Sequence, residues 1–154
     1  MASTIDSLLD QYSSDHVNPT NQRIHVMCVP AIVWSASAML WTIPVPGTFF
    51  LPGAWCALTM FFAWAWYWQK SRSLAMGAFV AFVLMMFLNR WLALRLGMNG
   101  LLALAIGVFV VAWIGQFIGH KIEGKRPSFL TDMVYLLVGP LRTLNKLYRR
   151  IGLS

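Results

Sequence analysis

The chain has 154 residues, of which 58% are hydrophobic and 11% charged, with a formal net charge of +7. A soluble domain carries about 25% charged residues, so the composition excludes a disordered chain, a secreted disulfide scaffold and an ordinary cytosolic globule. No Asp, Glu, Lys or Arg occurs between Val26 and Gln69 or between Leu96 and Gly119, and a bilayer asks for only about 20 apolar residues per helix.

The chain therefore reads as a single membrane domain over residues 1–154. It divides into an N-terminal cytoplasmic segment (1–24), transmembrane helices (25–119) and a basic cytoplasmic tail (120–154). No signal peptide is visible, because the first apolar run begins only after residue 25, and the N-terminus is expected to stay on the mature protein. In the N-terminal segment, Ile5, Leu8, Leu9 and Tyr12 recur at helical spacing. That spacing predicts a short amphipathic helix over 4–16, with His16 one turn beyond Tyr12 on the same face. Asn18-Pro19 breaks it, and a new helix is expected near Thr20.

The first span is predicted from His25 to Ile43, kinked at Pro30, and is followed by turns at Pro44–Gly47 and Pro52-Gly53. The second is predicted over 54–68, ending in Trp64, Trp66, Tyr67 and Trp68, residues suited to a membrane interface. After the basic loop of Lys70 and Arg72, the third runs over 74–92. A turn at Gly97–Gly100 leads into the fourth, over 101–119. Beyond Pro127 the stripe Leu141, Leu144, Tyr148 and Ile151 faces away from Arg142, Lys146, Arg149 and Arg150. This predicts a basic amphipathic helix on the membrane surface. The fold class is thus all-α: a polytopic membrane protein of about four transmembrane helices flanked by amphipathic helices.

Four spans put both termini on one side. Seven of the twelve Lys and Arg lie after Gly119, so that side is expected to be the cytoplasm, across a bacterial inner membrane. The positive charge is matched to anionic lipid rather than to nucleic acid. Cys28 and Cys56 fall within apolar runs and read as small core residues.

Chemistry-bearing side chains are few. His16, His25 and His120 all fall near the cytoplasmic interface. Asn21 and His25 share a helix face, as do Trp113, Gln116, His120 and Glu123. Two readings compete for them. Imidazoles with a carboxylate suit iron, manganese or zinc, whereas isolated histidines at an interface serve as polar anchors, with Glu123 paired to Lys121, Lys125 or Arg126. Asn89 and Arg90 are read either as a substrate feature or as a snorkelling arginine at the far interface.

The series Tyr12-x3-His16-x4-Asn21-x3-His25-x4-Pro30, together with Trp113-Ile-Gly-Gln116-Phe117-Ile-Gly119-His120-Lys-Ile-Glu123-Gly-Lys-Arg-Pro127 and Gly139-Pro140, resembles a family of small membrane 2-hydroxy fatty acid dioxygenases found in fungi and bacteria. The resemblance covers nearly the whole chain and implies an iron(II)-dependent enzyme of fatty acid α-oxidation. It implies His16, His25, His120 and Glu123 as catalytic and metal-binding residues, with Tyr12, Asn21 and Gln116 in support. Iron(II) would be the cofactor. A lipid or fatty acid substrate, molecular oxygen and membrane lipids would be the partners. The alternative is a non-enzymatic structural or lipid-binding membrane protein whose histidines pin the N-terminal segment to the fourth span.

Overall fold

The computed structural model describes residues 18–70, 72–124, 147, 148 and 152. The N-terminal amphipathic segment with Tyr12 and His16, and most of the C-terminal stripe, lie outside the described residues. Most of those described are helical, and no strand occurs among them: α1 is Pro19–Thr42, α2 is Ala54–Lys70 and α3 is Arg72–Glu123.

Each helix end has a local cause. Asn18 caps α1, its side-chain Oδ1 accepting from the Thr20 N–H at 2.9 Å, and Pro19 takes the first helical position, where a missing N–H costs nothing. The helix runs on through Pro30, whose ring is exposed. It stops where Pro44 forces Ile43 into an extended conformation (φ −66°, ψ 125°). Ser35, Ser37 and Thr42 return their hydroxyls to carbonyls three residues back, which leaves those hydroxyls satisfied inside an apolar helix. In the connection to α2, the Trp41 ring covers Gly53. That glycine has φ +88°, and a Cβ there would lie 2.5 Å from a ring carbon.

The helix α3 is not one rod. Gly97 leaves helical geometry at φ 72°, ψ 171°, a region open essentially to glycine alone. Asn89, before the break, bonds Ser37 of α1. Leu101 and Ala105, after it, pack against Ala38 and Trp41 of the same α1 segment. In a straight helix Asn89 and Ala105 would stand about 24 Å apart, so the chain folds back at Gly97. The second arm then runs antiparallel to α1 as far as Glu123, which meets Asn18. The first arm runs beside α2, with Tyr67 against Ala75 and Ala78. Four rods result, and residues 19, 70, 72 and 123 gather at one end of the bundle. The turn expected over Gly97–Gly100 is thus made at Gly97 alone.

Small residues fill the contacts between rods: Ala38, Cys56, Ala75, Ala78, Ala105 and Ala112 are buried. Large apolar side chains point outward, among them Phe49, Met27, Leu94 and Val111. Two helical stretches, Pro19–Thr42 and Ala75–Glu123, are long and apolar enough to cross a membrane. The 17 residues of α2 reach only about 25 Å. The all-helical class follows the sequence. The expected count of four spans has three helices behind it, the last of them bent.

Candidate functional site

At the end of the bundle where Pro19 and Glu123 meet, α1 and the second arm of α3 face each other across glycine. Gly115 and Gly119 stand one turn apart on that face. A Cβ at Gly115 would lie 2.6 Å from the Cys28 sulfur, and a Cβ at Gly119 would fall on the Asn21 Oδ1. Small residues four apart let two backbones approach closely. The close approach carries polar side chains into the interface: Asn21, His25, Gln116 and His120 are all buried.

The two histidines meet. Their ring centres are 5.2 Å apart and the planes cross at 82°. His25 Nδ1 lies 3.1 Å from the Asn21 carbonyl oxygen. A carbonyl only accepts, so Nδ1 donates, and in the neutral ring the lone pair then belongs to Nε2. A histidine held in this way by its other nitrogen is the usual arrangement in metal sites, because the bond fixes both tautomer and ring direction. An amide precedes each histidine by one turn, Asn21 before His25 and Gln116 before His120.

Glu123 is directed at the first turn of α1. Its carboxylate accepts from the Asn18 N–H at 3.1 and 3.3 Å and from Asn21 Nδ2 at 2.8 Å. A carboxylate at the C-terminal end of its own helix is poorly placed against the helix dipole, but here it sits at the positive N-terminus of α1. It thereby takes up one of the backbone N–H groups that a helix start leaves over.

Among the described residues no group of three or more His, Cys, Asp or Glu gathers as a metal cage. The donor chemistry fits a metal as a partial set. Imidazoles sharing one ion at about 2 Å keep their ring centres about 5 Å apart, close to the spacing of His25 and His120. The same spacing also suits an edge-to-face contact between rings. His16 and Tyr12, the other expected participants, lie outside the described residues.

The remaining polar candidates separate. Asn89 is fully buried and donates from Nδ2 to Ser37 Oγ at 3.1 Å, while Arg90 beside it is exposed. That pair belongs to the level of Ser37 on α1, three turns from His25. Cys56 lies in the core at the same level, and Cys28 faces Gly115. An apolar cavity of about 290 Å³ opens between α2 and the first arm of α3, lined by Met60, Phe61, Trp64, Phe79, Phe82 and Met86 among others. Lys70 and Arg72 lie over the Trp66 and Trp68 rings at 5.9 and 5.8 Å. These contacts hold two cations at the end of the bundle where the histidines also lie.

Sequence reasoning took Asn18-Pro19 only as a break and quoted Gly119 only within a motif, and it gave Gly115 no role. Their signals were present: an Asn-Pro pair reads as a helix cap as well as a break, and Gly-x3-Gly in an apolar run marks a close helix contact.

The family described as "2-hydroxy-palmitic acid dioxygenase Mpo1-like" matches residues 2–151. The 2-hydroxy-palmitic acid dioxygenase MPO1 of Saccharomyces cerevisiae is 33% identical over 136 residues, which cover 86% of this chain and 72% of the yeast protein. No solved structure matches the chain significantly.

Proposed function

This chain belongs to the Mpo1-like family, and on that footing we propose that it is an iron(II)-dependent dioxygenase that shortens long-chain 2-hydroxy fatty acids by one carbon. The observation that carries the reading is the buried pair His25 and His120, drawn from opposite ends of the chain, with His25 fixed through Nδ1. His25 and His120, joined by His16, would hold the iron, and Glu123 joins them as a ligand or as a support. Bound iron(II) would supply the redox chemistry that lets dioxygen react with a 2-hydroxy acid. One dioxygen balances conversion of the 2-hydroxy acid into the shortened acid, carbon dioxide and water, with no external reductant.

The protein's part is to bind, orient and exclude water. The Asn21 carbonyl holds the His25 ring, and the close packing at Gly115 and Gly119 seals the α1–α3 face beneath the pair. The polar end of the bundle carries Arg23, Lys70, Arg72 and Lys121, cations suited to an anionic head group. Apolar clefts between the rods, such as the one beside Trp64 and Phe82, suit an acyl chain.

The four rods are read as crossing a membrane, with the histidine end and both termini on the cytoplasmic side of a bacterial inner membrane. Outward-facing large apolar residues and small residues between helices support this, as does the clustering of positive charge at one end.

The test uses protein purified in detergent, loaded anaerobically with iron(II) and given oxygen and 2-hydroxypalmitate. Release of the acid one carbon shorter is expected, as is its loss in His25→Ala and His120→Ala. Iron-loaded wild type that leaves 2-hydroxy acids untouched would refute the activity. A second reading, a structural pair of rings pinning α1 to α3, has the 82° edge-to-face geometry in its favour. Protein unable to take up iron would select it.

A further inference from the structure

The contacts around the histidine pair converge on Asn21, one turn before His25. Asn21 holds His25 through its carbonyl oxygen. Its side-chain Nδ2 donates to Glu123, one turn beyond His120. Its Oδ1 is buried without a hydrogen-bond partner and lies against Gly119, the residue before His120. A Cβ at Gly119 would occupy the place of that oxygen and come within 3.4 Å of Asn21 Cγ and of Ile24 Cγ2. Asn21 is fully buried, so its amide has no solvent to turn into.

From these contacts we infer that Gly119 is a positioning residue. Its missing side chain forms the seat for the Asn21 amide. The seated amide, latched by Glu123, sets the depth and register at which His25 meets His120. Glu123 acts in this arrangement through Asn21 and Asn18, as a latch at the start of α1, and not as a ligand. Oδ1 takes the place a Gly119 Cβ would fill, a setting in which touching helices form weak C–H···O contacts. Gly107, on the same arm, has nothing within 4 Å of a built Cβ and serves as the control.

The inference rests on the metal reading only for the first of two readouts. The first is the dissociation constant for cobalt(II), titrated into metal-free protein and followed by its visible absorption. The second needs no metal: the side-chain resonances of ¹⁵N-labelled histidine, assigned by single His→Gln variants. Gly119→Ala is expected to weaken cobalt binding by about 10–100-fold, the usual effect of losing a supporting contact, and to move the His25 and His120 resonances. Glu123→Gln keeps one acceptor where the carboxylate offers two, and is expected to weaken binding less than Gly119→Ala while moving the same resonances. Gly107→Ala should leave both readouts at the wild-type values.

A double variant separates positioning from general damage to the fold. In the Asn21→Ala background the seat is already empty, so adding Gly119→Ala should change either readout by less than about twofold, within the scatter of additivity. Multiplying losses in the double variant would overturn the inference, because Gly119 would then act without Asn21. Wild-type resonances and affinity in Gly119→Ala would overturn it as well. Loss of all cobalt binding in Glu123→Gln, with the histidine resonances of the metal-free protein unmoved, would return Glu123 to the ligand set and overturn the latch. If wild type takes up no cobalt while Gly119→Ala still moves both resonances, the metal reading fails and the positioning role stands.

Discussion

Asn89 and Ser37 form a buried polar contact between α1 and the first arm of α3, and their two substitutions are expected to act in opposite directions. The Asn89 Nδ2 donates to Ser37 Oγ at 3.1 Å, and Ser37 Oγ in turn donates to the Trp34 carbonyl at 2.7 Å. Asn89 Oδ1 is buried without a partner. An unpaired buried polar atom costs about 1–3 kcal/mol, whereas an interhelical hydrogen bond in a membrane protein contributes only about 0.6 kcal/mol on average and about 1.7 at most. The unpaired oxygen therefore outweighs the bond. Ser37→Ala removes the oxygen acceptor, leaves the amide only the weak sulfur of Cys56 as a partner, and should destabilise by about 0.5–1.5 kcal/mol. Asn89→Leu keeps the branching and removes both polar atoms, while Ser37 keeps Trp34; it should stabilise by about 1 kcal/mol. The assay is thermal or dodecyl-sulfate unfolding in micelles, followed by helical circular dichroism. Destabilisation by more than about 1 kcal/mol in Asn89→Leu would refute the reasoning, because Oδ1 would then have to be satisfied.

Gly53→Ala and Gly47→Ala place a side chain on positive-φ backbone alike, at +88° and +71°, but only Gly53 lies under the Trp41 ring. Gly53→Ala should cost about 1–3 kcal/mol more than Gly47→Ala in the same unfolding assay, through the forced displacement of the ring. Gly97→Ala should destabilise by about 1–3 kcal/mol, since φ 72° with ψ 171° is closed to a residue with a Cβ; the melting temperature in detergent measures it. His120→Ala should abolish iron uptake, read by elemental analysis after anaerobic loading, and leave the helical circular dichroism of the wild type, because His120 sits in the last turn of α3.

Elements confined to one stretch of chain were legible. Pro44, Pro52-Gly53 and Gly97 break the helices where steric rules place the breaks, and the i, i+4 spacing paired Asn21 with His25 and Gln116 with His120 on their own faces. The convergence of those two faces on one interface was carried by the family resemblance, because periodicity within one helix says nothing about its partner. The aim of Glu123 was hidden for the same reason. Sequence neighbours offered Lys121, Lys125 and Arg126, while the described partners Asn18 and Asn21 lie more than a hundred positions away. Asn89 and Ser37 were equally unreadable as a pair. The apolar runs gave little orientation, since both the packed and the outward faces of these helices are hydrophobic, and a face contrast is what sequence periodicity detects.

The single-residue joint at Gly97 has a consequence for how the chain can change length over evolution. The connection between α1 and α2 spans residues 43–53 without helix, so added or lost residues there are taken up by the loop. The second arm of α3 has no such slack. One residue inserted between Ala105 and Gly115 would turn everything after it by about 100° and carry it about 1.5 Å along the axis. Ala105 would stay against Trp41, while Gly119 and His120 would swing off α1. Relatives that keep the histidine pair are therefore expected to hold the number of residues from the joint to the second histidine fixed, and to vary in length at the loop before α2.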